Sequence, residues 1–407
     1  MHLEATNTEQ ETPLKGLTVI DAGTTIAGPM VASLLADFGA EVIKIELPGR
    51  GDPTRQWAPK KDGVSLWWKV SGRNKKLITL NLGKPEGQAL LKKLIVDADI
   101  LIENFRTGTM ERWNVGYEDL AALNPGIIMV RISGYGQDGP YSHRPGYGTI
   151  AEAMSGIPSF TGFPDKPPTL SAFPLADAVA GLFGALGAMF AVYHRDVKGT
   201  GQGQVIDVSL YEPLFRLVES FVIAYDQLGK VKKRRGNRME ESSPRNAYET
   251  SDEAWVAVSA SSQRTFERLA EAIGRPDLPK DPRFADNPSR VDNASELDAV
   301  LAEWFRRVRL EDAMDVLERH DVVAGPVYDI RRIVQDPHYQ ARDSITTVDD
   351  PDLGPIRMQN VIPKLVKTPG KVKHAGLGLG RHNREIYGDR LGLSLEEMAR
   401  LREAGVI

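Results

Sequence analysis

The feature that most restricts this chain is a recurring order of short apolar runs and helical segments. "LTVID" (17–21) is followed by the turn-like "GTTIAGP" (23–29), the helically spaced "MVASLLADFG" (30–39) and the apolar "EVIKIE" (41–46). The same order returns in "KLITLNL" (76–82), "KPEGQALLKKLIVDA" (84–98) and "DILIENF" (99–105), and "GIIMVRISGYG" (126–136) adds another run. Such alternation predicts parallel strands joined by right-handed crossovers, with helices over both sheet faces. The predicted fold class is therefore α/β. Ligands on sheets of this kind bind outside the carboxyl ends of the strands, which directs attention to residues 23–28, 104–112 and 133–148.

Further along, "PLADAVAGLFGALGAMFAVYHR" (174–195) holds one carboxylate, Asp177, and residues 178–193 carry no charge. The spacing predicts a buried helix over 175–193, with Ala178, Gly181, Gly184 and Gly187 permitting close packing. A loop, a strand (204–209) and a helix follow. Composition turns basic and polar near 228, after which "AYETSDEAWVAVSA" reads as a hairpin leading into amphipathic helices. The expected organisation is a large domain over 1–224, a smaller α+β domain over 225–330 and a C-terminal segment, 331–407, ending in the helix "SLEEMARLREAGVI".

Composition removes several classes of function. With no cysteine, disulfides, thiolate metal sites and cysteine nucleophiles are excluded. No pair among the seven histidines has helical metal-site spacing, so no metal is expected. A net charge of −4 argues against a nucleic-acid surface. The opening "MHLEATNTEQET" lacks the apolar core of a signal peptide, and the apolar run within 178–193 is short for a membrane span. A soluble cytoplasmic protein with no membrane partner is the expectation.

The first strand–turn–helix invites a dinucleotide reading, with Glu46 at the end of the second strand. Its turn is Gly23-x4-Gly28-Pro29 and not G-x-G-x-x-G, and the proline removes an N–H where a pyrophosphate needs one. Asp177 admits two readings. Aspartate is favoured at helix starts, where it accepts backbone N–H bonds and meets the positive end of the dipole. The same donors would keep the carboxylate ionised in dry surroundings, making it a nucleophile toward an activated acyl group. "ENFRTGTMERW" (103–113), "GRNKK" (72–76) and "GDPTR" (51–55) are basic strand-end loops that could meet phosphate and adenine, although each alone also reads as a solvated loop.

Taken together, "LTVIDAGTTIAGPMVASLLADFGAEVIKIE", "GDPTR", "RNKKLITLNL", "ADILIENFRTGTMERW", "ISGYGQDGP", "SGIPSFTGFPDKPPT", the 174–209 stretch and "LGRHNREIYGDRLGLS" resemble, in order and spacing, the family III CoA-transferases. The resemblance runs from about Leu14 to Ile407 and includes formyl-CoA transferase and carnitine CoA-transferase among its relatives. It implies a Rossmann-like large domain built from both chain ends, a smaller α+β domain, and a homodimer of two chains interlocked like rings. It implies acyl-CoA and a small carboxylic acid as substrates, with no tightly bound cofactor. Asp177 falls on the catalytic aspartate, and Lys75, Asn104, Phe105 and Arg112 fall on positions that hold CoA, with Arg55 added from its motif. Tyr147, Gly134 and Gly136 are added as candidate substrate residues, the glycine turn at 134–136 being offered as a source of oxyanion donors.

The chain also departs from its relatives. Many carry an acid just after the tyrosine of the "GY" motif, where this chain has Gly148. The shielding glycine loop of formyl-CoA transferase has no counterpart in "GNRMEESSPRNAY" (236–248), which argues against oxalate. The related 2-methylacyl-CoA racemases pair a histidine with the aspartate; that position is Tyr147 here, with His143 nearby. A non-catalytic CoA-binding subunit would have no need of Asp177. Succinyl-CoA or another dicarboxyl-CoA is the expected donor by analogy. Arg144 or Arg245 could hold its distal carboxylate, although surface placement is the plainer reading of both.

Overall fold

The computed structural model describes residues 12–407; the polar opening segment, residues 1–11, lies outside them. Six strands form one parallel sheet: β1 (Thr18–Asp21), β2 (Glu41–Glu46), β3 (Lys75–Thr79), β4 (Ile100–Glu103), β5 (Ile128–Ser133) and β6 (Val205–Ser209). Their spatial order is β3-β2-β1-β4-β5-β6, the doubly wound order. Neighbouring residues of a strand face opposite sides, and each side has its own core. Ile20, Ile43, Leu101 and Met129 point to one side and meet α2 (Pro85–Ile95) through Leu91 and Ile95. Met398 and Leu401 of the terminal helix (Leu395–Glu403), together with Ile407, join the same cluster, so the chain end closes this face. Val19, Val42, Ile100 and Val130 point the other way, against α1 (Ala27–Asp37) and α3 (Leu175–Val192).

The expectation of a buried helix at 175–193 needs correcting. Ala176, Ala180, Gly181, Gly184, Ala188 and Ala191 are buried, while Leu182, Leu186 and Phe190 are 50%, 48% and 65% exposed. The small residues face inward because neighbouring elements come too close for anything larger. A Cβ on Gly181 would lie 2.7 Å from Met30, one on Gly184 2.8 Å from Val31, and one on Gly187 2.8 Å from Ile206. By length and composition this helix could cross a membrane, but its small-residue face belongs to the sheet core.

The chain divides into two compact units. The larger takes residues up to Ile157, Leu170–Ala224 and Gln340–Ile407; the smaller takes Pro158–Thr169 and Tyr225–Tyr339. The smaller unit holds an antiparallel sheet of β7 (Arg245–Glu249), β8 (Trp255–Ser259) and β9 (Ala324–Pro326), with Phe266, Leu301 and Leu317 from its helices in the core. Beside the expected 225–330, this unit also takes Pro158–Thr169 and extends through the helix Ile330–Gln335 to Tyr339.

Candidate active site

Order reverses between β1 and β4, and the loops leaving these strands, with those leaving β5 and β6, enclose a cavity of about 300 Å³. The loop after β1 is set by four buried charges. Asp21, at 0% exposure, accepts the Gly23 N–H at 3.1 Å and Lys75 Nζ at 3.0 Å. Lys44 Nζ lies 3.7 Å from Asp21 and 3.5 Å from Asp52, and donates to the Gly23 carbonyl. Asp52 accepts the Thr25 N–H at 3.1 Å, and Lys75 also donates to the Pro29 carbonyl at 2.8 Å. Burial alone would lower the Lys44 pKa, but the carboxylates of Asp21, Asp52 and Glu46 together hold it above the ordinary lysine value. Lys75, more weakly served and close to Lys44, is lowered by burial.

From the other side Asn104 clamps the same loop. Its Oδ1 accepts the Thr24 N–H at 2.7 Å and its Nδ2 donates to the Thr24 carbonyl at 2.9 Å. Thus Gly23, Thr24 and Thr25 are each fixed by a side chain from a different strand or loop. This grip holds Thr25 at φ +69°, a region a β-branched residue rarely enters, which costs roughly 1–3 kcal/mol. Phe105 is fixed in turn, its N–H bonded to Glu103 at 2.7 Å and its ring edge-on to Trp113 at 5.2 Å. Glu103 is itself held by Arg131 at 2.8 Å.

Asp177 is the third residue of α3 and, among the described residues, the only carboxylate lining the cavity. Pro174 occupies the cap position of that helix, and the Asp177 side chain caps nothing. Burial raises its pKa above the ordinary 3.8, opposed by its own backbone N–H. Gly148 begins the helix Gly148–Met154 and abuts the carboxylate, since a Cβ there would lie 2.1 Å from Asp177 Oδ2. The room that an acid at 148 would need is already filled by Asp177.

The sequence profile of CoA-transferase family III matches residues 14–383. The chain belongs to this family. The succinyl-CoA–D-citramalate CoA-transferase of Chloroflexus aurantiacus is 46% identical over 396 residues, covering 97% of this chain and 98% of that protein. The alpha subunit of the succinyl-CoA–L-malate CoA-transferase of the same organism is 40% identical, covering 98% and 94%. A CaiB/BaiF family crystal structure from Brucella suis superposes with a TM-score of 0.84 at 32% identity, covering 93% of this chain and all of that one. The protein is a CoA-transferase, an enzyme that uses CoA thioesters as substrates.

Within this family III chain, Asn104, Phe105, Gly134 and Tyr147 line the cavity together with Asp177. Tyr147 is 78% exposed at its rim, and Gly134 is a glycine because Gly146 crosses it, a Cβ lying 2.8 Å from the Gly146 Cα. Four residues expected here lie elsewhere. Lys75 is fully buried, with its ammonium bonded to Asp21 and Pro29, so it shapes the loop rather than offering itself to a ligand. Arg55 is bound at 2.6 and 2.7 Å to Glu46 and lies 3.8 Å over the Trp68 ring. Arg112 is exposed, bonded to Thr109 at 2.8 Å, and does not line the cavity. Gly136 lies outside the lining and gives its N–H to Ser133 Oγ at 2.9 Å, which removes it as an oxyanion donor. Among the described residues no histidine lines the cavity, His143 included, which leaves the racemase reading without a base there. Sequence reasoning missed Asp21, Lys44 and Asp52, although a lysine inside "EVIKIE" is the kind of interruption that marks a buried ion pair.

Proposed function

We propose that this enzyme moves CoA between carboxylic acids through covalent intermediates on Asp177. The observation that carries the reading is a half-buried carboxylate, among the described residues alone of its kind in the cavity and without a side-chain partner, with burial opposing its charge. Asp177 attacks the thioester carbonyl of the donor, the CoA thiolate leaves, and a mixed anhydride forms. The thiolate then attacks the aspartyl carbonyl, releasing the donor acid and leaving an aspartyl-CoA thioester. The acceptor carboxylate attacks that thioester and regenerates thiolate and anhydride. Attack of the thiolate on the acceptor's acyl carbon frees Asp177. Two carboxylates are thereby exchanged through acyl transfers that are each easier than direct exchange. The relatives named above support succinyl-CoA, or another dicarboxyl-CoA, as donor and small dicarboxylic acids as acceptors.

The decisive experiment incubates the protein with succinyl-CoA and hydroxylamine and examines the Asp177 peptide by mass spectrometry. An aspartyl hydroxamate, together with labelled CoA appearing on an added acid, is the expected result. Transfer without modification at Asp177 would sink the covalent route.

The same reading includes a homodimer. Leu182, Leu186 and Phe190 recur at helical spacing along α3, and Tyr193 and Val197 continue the apolar exposure. A second copy of the chain is the occupant that suits this face, and interlocking of the two copies is part of the proposal. Light scattering should give twice the chain mass, and Phe190→Asp should shift it toward the monomer. A wild-type monomer at working concentration would reject the dimer.

A further inference from the structure

Two cations line the cavity, Arg106 and Arg144, and neither has an ion-pair partner among the described residues. This sets them apart from Arg55, Arg131 and Arg195 of the same unit, each of which is bound to a carboxylate. An unneutralised guanidinium beside a cavity is free to bind an anion that comes and goes. The two arginines stand on different walls. Arg106 follows Asn104 and Phe105 on the loop after β4, the wall shared with Thr24. Arg144 belongs to the loop that runs through Pro145, Gly146 and Tyr147 along the cavity to Gly148, where the backbone touches Asp177.

Arg144 is also held in place without being neutralised. Its guanidinium lies 3.8 Å over the Tyr141 ring and its backbone N–H bonds to the Tyr141 carbonyl at 2.9 Å. Tyr141 in turn meets Tyr135 edge-on at 6.0 Å. Stacking on an aromatic face orients the planar fork and leaves its donors for a bidentate carboxylate. Asp177 by itself would repel a donor that carries a second carboxylate, and Arg144, lining the same cavity, carries the opposite charge.

We infer that Arg144 reads the distal carboxylate of a dicarboxyl-CoA and so sets the enzyme's preference for dicarboxylic over monocarboxylic acyl groups. The inference rests on the proposed CoA transfer for its place in the reaction, but it is a statement about binding. It can therefore be tested on protein that does not turn over. In an Asp177→Asn background, the affinities of succinyl-CoA and butyryl-CoA, which differ by a carboxylate against a methyl, are measured by titration calorimetry. The background protein should favour succinyl-CoA by roughly 10- to 100-fold, the range of a charge-assisted bond. Adding Arg144→Gln should bring the ratio close to one, and Arg144→Lys should retain part of it. An unchanged ratio in Arg144→Gln, an equal loss for both thioesters, or a collapse produced by Arg106→Gln instead would overturn the inference. Failure of hydroxylamine trapping at Asp177 would remove the covalent mechanism and leave this ratio readable.

Discussion

Asp177→Asn is expected to abolish CoA transfer while making the protein harder to unfold. Transfer should fall by roughly 10⁴- to 10⁶-fold, the scale of losing a covalent nucleophile. Asparagine fills the same volume but offers a far poorer attacking atom. The gain in stability follows from the surroundings of the carboxylate. Burial raises the Asp177 pKa in the folded chain above 3.8, so the folded state holds this proton more tightly than the unfolded state does. The group's contribution to stability therefore declines as pH rises from 3.8 through the folded value, and at neutral pH the ionised carboxylate is a burden on the fold. Removing the charge should raise the melting temperature at neutral pH by about 1–3 °C. The gain should vanish below pH 3.8, where wild type is neutral as well. The acid limb of kcat/KM should likewise lie above 3.8, because the free enzyme must lose that proton to attack. A melting temperature lowered by the substitution at neutral pH would contradict this account.

Lys44→Met should be the most destabilising single change among the residues that shape the site. It would leave Asp21 and Asp52 buried with Lys75 as their one remaining ammonium, and would remove the donor to the Gly23 carbonyl. Breaking a buried ionic group by deleting one partner costs about 3–5 kcal/mol. Urea unfolding should show this as a lower midpoint. The carboxylates hold Lys44 above 10.5, so its contribution is fully present at neutral pH and is lost only as pH rises through that elevated value. Whatever folded enzyme remains should turn over about 10²-fold more slowly, since the loop over the cavity would lose its seat. An unchanged midpoint would mean that the network contributes nothing net.

The sheet could be read from the residues because its strands are apolar on both faces and its helices are not. "DILIENF" and "GIIMVRIS" became β4 and β5 for that reason, and the loops after them became the cavity wall. Asn104, Phe105, Gly134 and Tyr147 were reachable as strand-end residues. For Lys75 and Arg55 a basic loop does not reveal where its charge is neutralised; their partners Asp21 and Glu46 belong to other strands. Arg112 lies outside the cavity lining, and its position in the chain says nothing of which wall its side chain faces. The uniform apolarity of 178–193 likewise concealed which side was inner, since there the small residues are buried and the large ones are not. Arg144 was weighed as a surface charge, and it is exposed; what "SHRPGYG" does not announce is that its loop also lines the cavity that holds Asp177.

The contact between Gly148 and Asp177 also limits how the carboxylate can sit. One pocket of space is claimed either by a side chain at 148 or by the aspartate in its present orientation, and not by both. A side chain at 148 could be accommodated only if the carboxylate of Asp177 turned away from where it now lies. The bare backbone at Gly148 therefore does more than leave space: it fixes which orientations of Asp177 this cavity permits.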